Sequence, residues 1–183
     1  MFERYTQEAR RAIFFARYEA QQFGSKRIEA AHLLLGLLHD RQSSANLLFG
    51  LDKHANNFRL KIEQKLPPTE PLPKTAELGL SNSNKRVLAY TAEEADQLGS
   101  HPIDSQHLVL GLLRENEPLT ASLLSEAGVE LTSAREIVEH NMAPHSDSAP
   151  AAKKQPMSPV AGIALILLLL SAIYWIVRLA LGR

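Results

Sequence analysis

Residues 20–38 read AQQFGSKRIEAAHLLLGLL and residues 95–113 read ADQLGSHPIDSQHLVLGLL, and the two align without a gap at a constant offset of 75. Ala20, Gly24, Ser25, Ile28, His32, Leu33, Leu35, Gly36, Leu37 and Leu38 recur as Ala95, Gly99, Ser100, Ile103, His107, Leu108, Leu110, Gly111, Leu112 and Leu113. The same offset carries Thr6 onto Ser81, Arg11 onto Arg86 and Glu19 onto Glu94, so the duplication reaches back through the preceding segment. Its period is too long for the common helical-hairpin repeats of about 34 residues, and each unit has room for about four short helices. A Pro-rich stretch, Leu66 to Lys74, separates the units and breaks any helix entering it.

Helix signals inside each unit agree. Thr6 is a good N-cap, Glu8 favours the positive end of a helix, and Ala9, Ala12, Ile13, Ala16, Ala20 and Phe23 follow the helical stripe before Gly24 stops it. Ser81 to Gly99 repeats this pattern. The run His32–Leu38 is too apolar for a surface helix and is expected at the buried centre of its unit. Gly36 and Gly111 cost about 1 kcal/mol each relative to Ala in a helix, a cost most simply offset by close approach of another helix. A short helix is expected near 45–49 (121–125) and a last one over about 52–65 (130–141). No stretch alternates with period two for long enough to argue a strand. The fold class is therefore all-α.

The 183 residues include no cysteine, which excludes disulfides and cysteine-based metal sites. With 20 Lys+Arg against 20 Asp+Glu, whole-chain charge gives no reason to expect nucleic acid. Residues 160–177, VAGIALILLLLSAIYWIV, form an 18-residue run without a charge. As a helix it would rise about 27 Å, which matches the hydrocarbon thickness of a bilayer. The N-terminus is charged and helically periodic, unlike a signal peptide. These features predict a soluble domain over 1–142, with repeats at about 1–66 and 76–142, a Pro/Ala/Ser-rich linker over 143–159 and a single transmembrane helix over 160–181. The expected location is a membrane, single-pass, with the N-terminal domain cytoplasmic.

The opening MFERYTQEARRAIFFARYEA and the paired blocks IEAAHLLLGLL and IDSQHLVLGLL resemble the double-repeat N-terminal domain of the Clp AAA+ unfoldases, especially the ClpC and ClpA type. The resemblance covers roughly residues 1–142. It implies one compact all-α domain of two pseudo-twofold-related four-helix repeats that docks adaptors and substrates for an unfoldase–protease. Phosphoarginine recognition in ClpC-type domains implies an acidic residue just before each block histidine and a hydroxyl near the start of each first helix. Here Ala31 and Gln106 precede the histidines, while Thr6 and Ser81 keep the hydroxyls. A carboxylate is the bidentate partner of a guanidinium, so its absence argues against that ligand.

Catalytic and nucleotide motifs are missing. A P-loop needs a Gly-Lys pair that occurs nowhere in the chain, and there is no G-x-S-x-G elbow. His32 and His107 are one per unit, too few to assemble a metal site, and are expected to be structural, as are Gly36 and Gly111. Neither enzyme activity, nor a cofactor, nor a bound metal or nucleotide is expected. The candidate protein-binding residues are Thr6, Arg10, Arg11, Ser81, Lys85 and Arg86.

Residues 1–66 carry 11 basic and 7 acidic side chains, and residues 76–142 carry 4 and 11. Opposite signs on the two repeats suggest faces for different partners, or head-to-tail contact between copies. Arg4, Arg10, Arg11 and Arg17 cluster on the first helix, where an acidic partner or anionic headgroups could meet them. The function expected is a membrane-tethered module that binds a protein segment or adaptor, with an unfoldase–protease system as a candidate partner. The alternative is a structural or regulatory subunit that self-assembles or joins a membrane complex.

Overall fold

Thr6 stands in extended backbone (φ −62, ψ 164), its Oγ1 accepts the Ala9 N–H, and α1 runs from there over Gln7–Gln22. Gly24 then takes φ +67, a left-handed value that suits glycine and turns the chain out of the helix. The computed structural model describes residues 3–142. After α1 come strand β1 (Arg27–Ile28), α2 (Ala30–Leu38), α3 (Ser44–Phe49), a 3-10 turn at Leu51–His54 and α4 (Ala55–Lys65). The second unit has β2 (Gly79–Leu80), α5 (Asn82–Gln97), α6 (Ser105–Glu115), α7 (Pro118–Glu126) and α8 (Leu131–Met142). Ser81 caps α5 as Thr6 caps α1, and Gly99 repeats φ +67.

Helices α2 and α6 form the centre. Leu33, Leu34, Leu35 and Leu37 are buried in one, Leu108, Val109, Leu110 and Leu112 in the other, and all belong to a single core. Gly36 is where α2 meets α1: a Cβ there would lie 2.3 Å from the Ala12 carbonyl oxygen and 2.6 Å from the Ala16 nitrogen. At Gly111 the same atom would meet Thr91 Oγ1 at 2.2 Å and the Val87 carbonyl oxygen at 2.6 Å. The helices therefore approach backbone to backbone, which only a residue without a side chain permits.

Two expectations need correction. Strand pairing exists, though only two residues long. β1 lies parallel to β2, with Arg27 opposite Gly79 and Ile28 opposite Leu80. The counterpart, 75 residues away, is a single parallel bridge between Tyr5 and Ile103, closed by Thr6 N–H to Ile103 O (2.9 Å) and Ile103 N–H to Arg4 O (2.8 Å). Each unit thus lends the residues before its first helix to the other unit. Segments this short carry no period-two signal, which is why the pattern missed them.

The second correction concerns helix starts. Gly50, at φ +62, ends α3, and the chain makes a 3-10 turn before α4 begins at Ala55, later than expected. Helix α7 begins earlier, at Pro118, because a proline at the first helical position gives up a donor that would have no partner anyway. The Pro-rich connector folds back on α1 as a strap, through Thr69 N–H to Phe23 O (3.0 Å) and Leu72 N–H to Gln21 O (2.9 Å). Among the described residues no helix is long and apolar enough to cross a membrane. The linker over 143–159 and the span over 160–181 expected from the sequence lie outside the described residues.

Candidate functional site

Three helix N-termini converge where the two repeats meet. Thr6 caps α1, Ser43 caps α3 and Asp104 caps α6. Between them lie the carboxyl groups of Glu8 and Asp104. The Ser44 N–H and hydroxyl donate to Glu8 at 2.6 and 3.1 Å, while the Thr6 hydroxyl and Ser105 N–H each donate to Asp104 Oδ1 at 2.8 Å. Ser44 Oγ and Ser105 Oγ, 2.9 Å apart, join the two halves. Helix N-termini attract anions, but two carboxylates this close cannot both ionise freely. Burial first, then the hydrogen bond to Asp104 and its charge, push Glu8 up to about 7. Burial also pushes Asp104 up, but hydrogen bonds from Glu8, the Ser105 N–H and Thr6 outweigh it and hold that carboxyl below its usual range.

The sign of the linkage follows. A carboxyl raised in the folded state contributes stability that is complete below its unfolded value of 4.5 and lost as pH rises through about 7. Glu8→Gln, a neutral mimic of the protonated form, is therefore expected to raise the melting temperature at pH 8 and to leave it nearly unchanged at pH 5. Equal shifts at both pH values would refute the shared proton.

The candidate binding residues are placed as two sets of three. On α1 the Thr6 hydroxyl is held as cap, Arg10 Nη2 donates to Glu3 O at 3.0 Å, and Arg11 pairs with Asp40. On α5 the Ser81 side chain accepts the Asn84 N–H, Lys85 is exposed, and Arg86 grips Glu115 through Nε at 2.9 and 3.1 Å. Arg4, expected to face a partner, instead clamps the repeats together through Asp96 (2.6 Å) and the His101 carbonyl (3.1 Å).

Both block histidines are buried. Nδ1 of His32 accepts the Glu29 N–H and Nδ1 of His107 accepts the Asp104 N–H, each at 3.0 Å. Burial drives His32 down to about 4 and lowers His107 as well, so both rings are neutral at physiological pH. Each holds the start of its helix. Among the described residues no group of three or more His, Asp and Glu could hold a metal ion. Ala31 and Gln106, beside them, are buried too.

Sequence reasoning missed one repeated constellation. Glu19, 3% exposed in its side chain, is met by Arg59 at 2.6 Å and His39 Nε2 at 2.7 Å. Its counterpart Glu94, fully buried, is met by Arg135 at 2.6 Å and Arg114 at 3.2 Å. In both units the partners come from the end of the second helix and from the last one. The alignment of Glu19 with Glu94 was the available signal, since two buried carboxylates on an otherwise apolar face need partners.

Residues 4–125, and again 79–166, match the Clp repeat (R) N-terminal domain family. The chain belongs to that family. Similar proteins include the chloroplastic chaperone ClpC of Pisum sativum, 33% identical over 82% of this chain and 16% of that protein. The ClpA homologue of Guillardia theta, described as an ATP-binding subunit of the Clp protease, is 32% identical over 74% of this chain and 16% of its own length. The chain thus spans about one sixth of these relatives. The crystal structure of the ClpD N-terminal domain from Arabidopsis thaliana superposes with a TM-score of 0.62 at 23% identity, over 79% of this chain and 97% of that one. The Hsp104 N-terminal domain from Candida albicans gives 0.57 at 20% identity, over 76% and 93%. At these identities the two structures establish the Clp repeat fold alone.

Proposed function

We propose that this Clp repeat domain is a non-enzymatic docking module that captures a protein segment or adaptor, and that residues 160–181 confine it to a membrane with the domain on the cytoplasmic side. The observation that carries the docking half is the two-repeat fold itself, matched along nearly the whole of an isolated Clp N-terminal domain. The membrane half rests on the uncharged run 160–177. Confinement raises the effective concentration of nearby partners without any new contact. Ala31 and Gln106 offer no carboxylate beside either histidine, which supports an unmodified protein segment over phosphoarginine. A Clp ATPase is the natural recipient of what the domain captures.

The self-assembly alternative rests on the opposite charges of the two repeats. It is weakened because Glu94, Glu115 and Glu126 of the acidic repeat are already engaged by Arg135, Arg86 and Lys61.

Fractionation and crosslinking in native membranes test both halves. The full chain is expected to stay with membranes through carbonate extraction, to crosslink to a discrete partner protein, and to become soluble once residues 160–183 are deleted. Equal solubility of both forms would overturn the anchor. Absence of any crosslinked partner would overturn the docking role.

A further inference from the structure

The outer face of α1 carries side chains the core does not require. Phe14 is 66% exposed and Tyr18 42%, one turn apart on the same face. Together with Arg17, Gln21 and Lys74 they line a cavity of about 380 Å3. Its far wall is the Pro-rich strap, fixed by Gln21 Nε2 to the Lys74 carbonyl (3.2 Å) and by Arg17 Nη2 to the Ala76 carbonyl (2.9 Å). Arg17 thus meets a carbonyl, not a carboxylate, and among the described residues neither it nor Lys74 takes part in an ion pair.

The duplication supplies an internal control. At the offset of 75, Phe14, Arg17, Tyr18 and Gln21 become Ala89, Ala92, Glu93 and Asp96. The equivalent helix α5 therefore folds with two alanines and two acids on this face. Arg17 and Gln21 also hold the strap, whereas the exposed rings of Phe14 and Tyr18 are not needed to form such a helix.

We propose that this groove binds an acidic segment of a partner protein, seating one apolar side chain between Phe14 and Tyr18 with flanking carboxylates at Arg17 and Lys74. The inference rests on the docking role proposed above and names its surface and ligand chemistry. Two cations without acidic partners among the described residues set the charge of the occupant. Exposed aromatics walling a cavity provide the kind of anchor that dominates interface energy. A second copy fits poorly, because the acids on the corresponding face of its second repeat are taken: Asp96 by Arg4 and Glu93 by Arg114, both at 2.6 Å. Residues 143–183 fit poorly as well, since Asp147 is their one acid.

The test uses the full chain and three fluorescein-labelled peptides of about twelve residues: an acidic one with a central leucine, the same acidic peptide with glycine there, and a basic one with the leucine. Fluorescence anisotropy is expected to rank the acidic leucine peptide tightest, with affinity falling as salt screens the rim charges. Phe14→Ala and Lys74→Glu should each weaken that peptide at least about five-fold. Leu60→Ala, an equally exposed residue on α4, should change nothing. Indifference to peptide charge, or loss of affinity no greater in the groove variants than in Leu60→Ala, would overturn the groove while leaving the docking role to its own crosslinking test. Phe14-dependent self-association in sedimentation would assign the groove to a second copy instead. Binding to phosphatidylserine vesicles that depends on Phe14 and Lys74, with no peptide preference, would assign it to a lipid surface.

Discussion

Gly36→Leu is expected to lower stability by about 3 kcal/mol, the upper range for overpacking a well-filled core, although leucine is the better helix former by about 1 kcal/mol. The reason is the identity of the neighbours. The nearest atoms to a new Cβ at Gly36 are the Ala12 carbonyl oxygen, the Ala16 nitrogen and the Ala16 Cα, all main chain of α1, and none can rotate aside. In a domain of about 140 residues this corresponds to a fall of about 10 °C in melting temperature. Even Gly36→Ala should destabilise. Gly111 offers a contrast, since its nearest neighbour is the Thr91 side chain, with backbone only slightly farther off. Gly111→Ala should therefore be partly rescued by Thr91→Ala, a rescue with no equivalent at Gly36. Thermal unfolding of residues 1–142 decides the matter, and an unchanged or higher melting temperature for Gly36→Leu would sink the close-crossing account.

A loss on the order of 2 kcal/mol is expected for Glu94→Ala, because it removes the buried carboxylate on which Arg114 and Arg135 converge, leaving the half-exposed Arg135 without an anion and Arg114 with Glu93 alone. Glu94→Gln keeps the shape and one acceptor and should lose less. The pH dependence has a definite sign. Hydrogen bonding to Arg135, with the charges of Arg135 and Arg114, holds the Glu94 carboxyl below its usual range against the effect of burial. Its stability is present above the unfolded value of 4.5 and is lost as pH falls through the lower folded value. Glu19, lowered through Arg59 and His39 against burial, acts in the same direction. The wild-type domain should thus lose stability on acidification below about pH 4.5, and Glu94→Ala should flatten that slope. An unchanged acid limb in the variant would show that Glu94 does not control it.

What could be read from the sequence was what repeats locally. The stripe from Ala9 to Phe23, the cap at Thr6, the stop at Gly24 and the apolar block from Leu33 to Leu37 are signals carried within one helix, and the duplication supplied each of them twice. Contacts between distant residues left no local trace. Nothing in Tyr5 or Ile103 announces that they pair, and nothing in Thr69 or Leu72 says that they return to α1. Functional residues were harder still. Thr6 and Ser81 read equally as caps and as ligand hydroxyls, and the capping bonds at Ala9 and Asn84 account for their positions. Phe14 and Tyr18 sit among helix formers and show their character only once the fold leaves them uncovered.

The exchanged lead-in strands bear on how such a domain is put together. Because residues 4–5 complete the second repeat and residues 79–80 complete the first, neither half contains all of its own backbone partners. A chain made of one repeat would be an open half, able to satisfy its lead-in and its acceptor edge only by trading them with another copy. Such a single-repeat chain would be expected as a symmetric, interlocked dimer, and fusing its two copies through a short connector would yield this arrangement with its entropy of association removed. Conversely, a protease cut in the exposed connector should leave two fragments that stay clasped until denaturant releases them.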